Sequence, residues 1–497
     1  MLLFYLVFSL GGRRERMGES LELEQARHFS FLIYPFRSLP RRTNRGGDGA
    51  ASNWRHLWHR LEGDALARHL DDTFFFLPYI RDLLFPDVPA WPTSPKDIAV
   101  RREKLLKLHT GQVLTKSAQD ALVHLTLDKS LLKSHNPFTL VARGSESQPL
   151  TFNIEWSDLL LFPLDVGFIV LKVATADPEI KADRVNDLLY GVSTLFAPSV
   201  NMKVAVWRSA ERVELDGREL LEFMLQGWTA STSPAVTSLT EFVSAIRTRP
   251  ASTQYTFGPD GQTHGDRFRV FTFLALPARE LESGPSAPLS SSWNRVLYET
   301  STLTKLSDPA FYPSEDMVDD FGEIIISRWL NWRAAALPEH TVFLARSEKF
   351  TLDTLSHNVE SDYLSLYLLS LFLKMRLSFF FADLVQRNPS LFRNLFAARR
   401  ISKSFIRFQN EFWFPEVTHK PQGAYLYGRF QAMLRNEALY SELNLQIQNL
   451  VSHLEQRYQF VIAVLVALLI GPQTIKELGD ALLWLAQRAR DLLGLLH

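Results

Sequence analysis

The run from Asn436 to Ile470 constrains this chain more than any other stretch. Leu439, Leu443, Ile447, Leu450, Leu454, Tyr458, Val461 and Leu465 recur every three or four residues, the spacing that aligns side chains on one face of an α-helix. Neither Pro nor Gly interrupts the run before Gly471-Pro472, a pair that reads as a helix stop. The opposite face carries Glu442, Asn444, Gln446, Gln448, Glu455, Gln456 and Arg457, and its polarity ends at Gln459. From Phe460 to Ile470 no polar residue occurs. One helix therefore passes from an amphipathic half into a wholly apolar half. Two readings follow: a coiled-coil helix whose end is buried in protein, or a stalk helix that enters a membrane. The apolar half is roughly 16 Å long, against a hydrocarbon core of about 30 Å. A span here is expected to need the support of an oligomer. In the tail, Leu482, Leu483, Leu485, Leu492 and Leu493 are interrupted by Arg488, Arg490 and Asp491. That pattern reads as an amphipathic helix, residues 476–497, suited to a membrane surface or an apolar neighbour.

At 497 residues the chain is long enough for two or three domains and a sizeable core. Lys and Arg balance Asp and Glu to a formal net charge of zero, which gives no ground for a nucleic-acid partner. The chain has no Cys, which excludes disulfides, thiolate metal sites and a cysteine nucleophile and suits a reducing compartment. Its 36 Phe residues call for large buried surfaces, partner surfaces or lipid.

The apolar opening MLLFYLVFSL is followed, rather than preceded, by the basic run Arg13–Arg16. That order is wrong for a secretory signal, and Met17 offers an alternative start. His28–Phe36 reads as a strand and residues 41–53 as a flexible linker, closing the N-terminal segment 1–53. Asn53 then opens an expected helix with Trp54, Leu57, Trp58 and Leu61 on its apolar face. His56 and His59, three apart on that helix, are a candidate metal pair lacking an evident third ligand. A helix containing Pro78 and a mostly helical stretch over 96–135 follow. Leu159–Phe162 and Phe168–Val173, joined by residues 163–167, read as a β-hairpin. Further strands are expected at 267–277, near Ile325 and near Val342, with helices between them and a surface loop over 278–294. Residues 54–345 thus read as an α+β domain with a mostly antiparallel sheet.

Beyond residue 345 the chain turns helical. Residues 346–435 hold a long apolar helix over 361–386, interrupted by Lys374 and Arg376, and a basic helix with Arg393, Arg399, Arg400, Lys403 and Arg407. The basic side chains read as a solvated face. Pro415 and Pro421 separate this helix from the 436–475 stalk.

Three segments, DLLLFPLDVGFIVLKV, YLSLYLLSLFLKMRLSFFFADL and FQNEFWFPEVTHKPQGAYLYGRFQ, set in that order before a stalk helix and an apolar C-terminal segment, resemble the CorA-like family of divalent-cation transport proteins. The resemblance covers roughly residues 150–470. It implies a homo-oligomer, pentameric in that family, with its body in the cytoplasm, its stalks in a membrane and a pathway for magnesium. Where that family closes its first membrane helix with Gly-Met-Asn, this chain reads Gly471-Pro472-Gln473. Gln473 and Thr474 are the oxygen-bearing side chains at that place, and no metal-ligating residue carries over.

No phosphate loop, no Gly-rich dinucleotide turn after a strand, no H-E-x-x-H and no G-x-S-x-G occurs in the chain. The reading is therefore not an enzyme, without cofactor or catalytic residues. It is a CorA-like membrane protein that transports a divalent cation or is a non-conducting relative. The alternative is a soluble or membrane-anchored oligomeric scaffold or sensor without transport.

Overall fold

A computed structural model describes residues 26–37, 57–60, 75–85, 121–142, 149–175, 177, 179–195, 205–225, 238–247, 267–278, 281, 292–304, 306, 313–391 and 395–494. The N-terminal run 1–16, the linker 41–53, His56 and most of the 278–294 loop lie outside these residues. The chain divides into two compact units, Met1–Met375 with Phe414–Leu434, and Arg376–Trp413 with Arg435–His497.

The first unit is built on one 12-stranded sheet. Its strands are β1 (Arg27–Arg37), β2 (Trp58–Arg60), β3 (Val123–Leu127), β4 (Phe138–Ala142), β5 (Leu150–Phe162), β6 (Val166–Thr175), β7 (Ala205–Arg208), β8 (Glu214–Leu215), β9 (Arg269–Leu276), β10 (Ile325–Ile326), β11 (Trp332–Ala336) and β12 (His340–Arg346). They run in the order β10-β11-β12-β9-β1-β6-β5-β4-β7-β8. Among the described strands all pairs are antiparallel except β9 with β12. The expected strands at His28–Phe36, 267–277, Ile325 and Val342 are present, as is the hairpin, formed by β5 and β6 around Leu164 and Asp165 at positive φ. β5 spans 13 residues and pairs with β6 along one edge. Its other edge is shared between β4 at one end and β3 at the other.

Two expected helical stretches contain strands instead. Trp58–Arg60 pairs with β3, and Val123–Leu127 lies inside the 96–135 region. The apolar Leu57 and Trp58 are buried, and the Trp58 indole N–H donates to the Met224 carbonyl at 3.0 Å. Sheet pairing has overridden a helix-compatible local pattern, as tertiary contacts commonly do.

Helices cover both faces of the sheet. On one face, Leu32, Leu159, Leu171, Val270 and Leu344 belong to a core shared with α1 (Ala182–Ser193), α2 (Gly217–Met224), α3 (Leu239–Arg247) and α4 (Ser292–Thr302). α2 starts with a capping box: the Asp216 carboxylate accepts the Glu219 amide at 2.8 Å, and Glu219 Oε2 accepts the Asp216 amide at 3.0 Å. The other face is aromatic. Phe271 lies 5.4 Å from Phe343, 5.3 Å from Tyr367 and 6.3 Å from Phe430 between ring centroids. These contacts seat the start of α5 (Leu364–Leu391) and α6 (Pro421–Met433) on the sheet. Much of the Phe content is thus used in stacking between strands and helices.

The second unit packs α7 (Leu395–Glu411) against α8 (Asn436–Gly494). Tyr440 stacks on Phe405 at 5.7 Å and on Trp413 at 4.2 Å. Leu443, Ile447 and Leu450 of the apolar stripe are buried within the chain. The coiled-coil reading is corrected accordingly for this part of the stripe: Leu443, Ile447 and Leu450 are covered by the chain's own residues, whereas Tyr458, Val461 and Leu465 further along it are exposed. Leu450→Lys should lower thermal stability by roughly 3 kcal/mol, the usual cost of losing a buried leucine, while the mass measured by light scattering stays unchanged. A fall in mass would place this face between copies instead.

Two further expectations are overturned in α8. The helix runs for 59 residues without ending at Gly471-Pro472, so 476–497 does not begin a separate helix. Proline removes one backbone donor, yet the helix continues through it as a single element. Among the described residues, no helix is long and apolar enough to cross a membrane. The apolar half of α8 is short, and Lys476, Glu477 and Asp480 follow on the same helix. The transmembrane helix, the membrane localisation and the magnesium transport that depended on them are therefore withdrawn. Gln473 and Thr474 sit inside a continuous helix.

Candidate functional site

A cleft of about 370 Å³ opens on the aromatic face of the sheet, wholly within the first unit. Its floor comes from β3, β5 and β6 through Thr126, Trp156, Leu160 and Val170. One wall is the turn and helix start bearing His357, Glu360, Ser365 and Leu368. The other is formed by Leu84, Phe85 and Leu122.

A β-bulge decides what this floor presents. Ile154 pairs with Val173, but Trp156 pairs with the adjacent Lys172, so Glu155 is an extra residue in β5. Side chains two apart in a strand normally share a face. The bulge breaks that rule, leaving Ile154 in the helix-covered core while Trp156, Asp158, Leu160 and Phe162 line the cleft. Antiparallel pairing then sets His124 opposite Leu160 and Thr126 opposite Asp158. His124 and Asp158 are diagonal neighbours, close enough to interact. The His124 Nε2 is 2.6 Å from Asp158 Oδ2, and both side chains are largely buried. This is a short, charge-capable contact held on three hydrogen-bonded strands.

Lys172 stands behind the wall. Its ammonium donates to Glu155 of the bulge at 2.8 Å and to Glu360 at 2.7 Å, and lies 4.8 Å from the centre of the Phe29 ring. Glu360 belongs to a π-helical turn, Val359–Tyr363, and a second such turn covers Thr351–Leu355. Turns of this kind are rare and occur often at functional sites. Here the wider turn carries the carboxylate that joins Lys172 to the cleft wall.

The opposite face of the sheet holds a separate polar chain. His28 Nε2 meets Ser30 Oγ at 2.9 Å, Ser30 meets Thr272 at 2.7 Å, and Thr272 meets His340 Nε2 at 2.9 Å. Burial pushes the imidazole pKa of His28 down to about 3. Burial, together with the His28 charge, does the same to His340. Both rings are thus kept neutral in a network that stitches β1, β9 and β12 together.

Among the sequence candidates, His59 lies on β2 and approaches Asp128 at 3.9 Å. It is remote in character from the cleft, and among the described residues no group of three metal-ligating side chains is assembled. The residues that do converge, His124, Trp156, Asp158, Lys172 and Glu360, were not singled out in the sequence. One signal was present: Glu155, Asp158 and Lys172 are the three charged residues of the hairpin strands, and Asp158 and Lys172 each stand next to an apolar run. His124 was hidden by the helical reading of its segment. Comparison with protein families, curated proteins and solved structures finds no match to this chain.

Proposed function

We propose that this chain is a non-enzymatic small-molecule-binding protein, a sensor or scaffold whose ligand enters the cleft over β3, β5 and β6. The observation that carries this reading is the cleft itself. Its volume lies in the range of ligand pockets, roughly 300–1,000 Å³, and a mostly apolar lining surrounds a few converging polar groups. The bulge and the π-helical turn, two irregularities associated with functional sites, both border it. The CorA-like resemblance adds nothing to this reading, which rests on the cleft alone.

A ligand-observed NMR screen of indole and naphthalene fragments tests it. Several fragments should bind the wild type, and Ser365→Trp, which places an indole in the cleft, should abolish their signals while the protein stays folded. A screen without hits, or hits indifferent to Ser365→Trp, would defeat the reading.

A second reading concerns assembly. Tyr458, Phe460, Val461 and Leu465 of α8 are more than half exposed. Contiguous apolar surface of this kind marks interaction sites, which supports a homo-oligomer joined through α8. Light scattering of the full chain over a concentration series tests that directly.

A further inference from the structure

The charges around the cleft are not balanced, and their depths differ. Asp158 and Glu360 reach the lining with side chains 14% and 31% exposed. Lys172, 8% exposed, is already held between Glu155 and Glu360. That triad carries one excess negative charge. Asp158, 2.6 Å from His124, adds a further carboxylate on the floor. The remaining cation of the lining, Lys129, is exposed at the rim. The interior potential is therefore negative, and it is enclosed by apolar walls that weaken solvent screening. Trp156 supplies an aromatic surface on the same floor, and aromatic faces also favour cations.

We infer that the cleft takes an aromatic amine: a flat apolar body against Trp156 and Leu160, with a protonated amino group directed to Asp158 and Glu360. This inference rests on the cleft being a ligand site and adds the ligand's class. A carboxylate of the same shape would meet two like charges, and a neutral alcohol would gain hydrogen bonds without the ionic attraction.

Calorimetric titration of the full chain with tryptamine, tryptophol and indole-3-acetate separates these cases, because the three share one ring and differ mainly in charge. Tryptamine should bind at least about tenfold more tightly than tryptophol, the effect of one partly screened charge pair, and indole-3-acetate should bind weakest. The tryptamine advantage should shrink at high salt. Asp158→Asn and Glu360→Gln should each remove most of the difference in affinity between tryptamine and tryptophol. Equal affinities, or tightest binding of indole-3-acetate, would overturn the amine assignment while leaving the cleft as a site. No binding of any of the three to the wild type, or binding untouched by Ser365→Trp, would overturn the cleft reading together with the amine.

Discussion

Lowering the pH from 6.5 to 4.5 should cost the folded protein on the order of 5 kcal/mol through two residues, His28 and His340. Each imidazole has its folded pKa depressed from 6.5 to about 3, by burial first and, for His340, by the neighbouring His28. The sign follows from proton uptake. Below the unfolded value of 6.5 the unfolded chain binds protons that the folded chain refuses, so stability is full above 6.5 and falls with pH until about 3. Each ring contributes a slope of about 1.4 kcal/mol per pH unit. Urea unfolding at several pH values measures the slope directly. The double variant His28→Gln, His340→Gln keeps polar side chains that do not titrate. It should be less stable at pH 7 and show a shallower acid limb. Parallel limbs in variant and wild type would show that the two rings are not the origin of the acid sensitivity.

Phe271→Ala should destabilise the first unit by about 4 kcal/mol, at the upper end for a single buried side chain. Phe271 is fully buried and touches rings from both sides of a layer boundary: Phe343 on β12, Tyr367 on α5 and Phe430 on α6. Its removal costs the transfer energy of the ring, leaves a cavity between sheet and helices, and forfeits several ring contacts worth about 0.5–1.5 kcal/mol each. Phe271→Leu, which keeps most of the volume, should cost less than half as much. The midpoint of urea unfolding, followed by the near-ultraviolet signal of the aromatic cluster, reads both values. A loss under about 1 kcal/mol for the alanine variant would mean that this helix layer holds its place without the cluster.

The strands at His28–Phe36 and Val342, the 159–173 hairpin and the long helix from Asn436 were legible because each carries its own pattern. β-rich runs between turn residues and an apolar stripe at helical spacing are properties of a few consecutive residues. The same local logic failed where a distant partner decided the outcome. Trp58 lies on a strand because β3 pairs with it and Met224 accepts its indole N–H. The apolar stripe of α8 invited an intermolecular seam, but its first half, at Leu443, Ile447 and Leu450, is buried within the chain, where α7 packs on α8. Gly471-Pro472 failed as a stop: α8 runs through the pair without a break.

What the sequence by itself determined is the periodic grammar of the stretches with a strong local pattern, the strand at His28–Phe36, the hairpin and the helix from Asn436 among them, and that no known catalytic motif is written in it. The tertiary structure alone decided the site. Glu155 as an extra residue in β5 turns Trp156 and Asp158 to the cleft face. Pairing of β3 with β5 brings His124 to 2.6 Å from a residue 34 positions away. A π-helical turn 188 residues beyond Lys172 supplies Glu360 as its second carboxylate. None of these follows from spacing along the chain, because register and bulges are set by the strands that meet across the sheet.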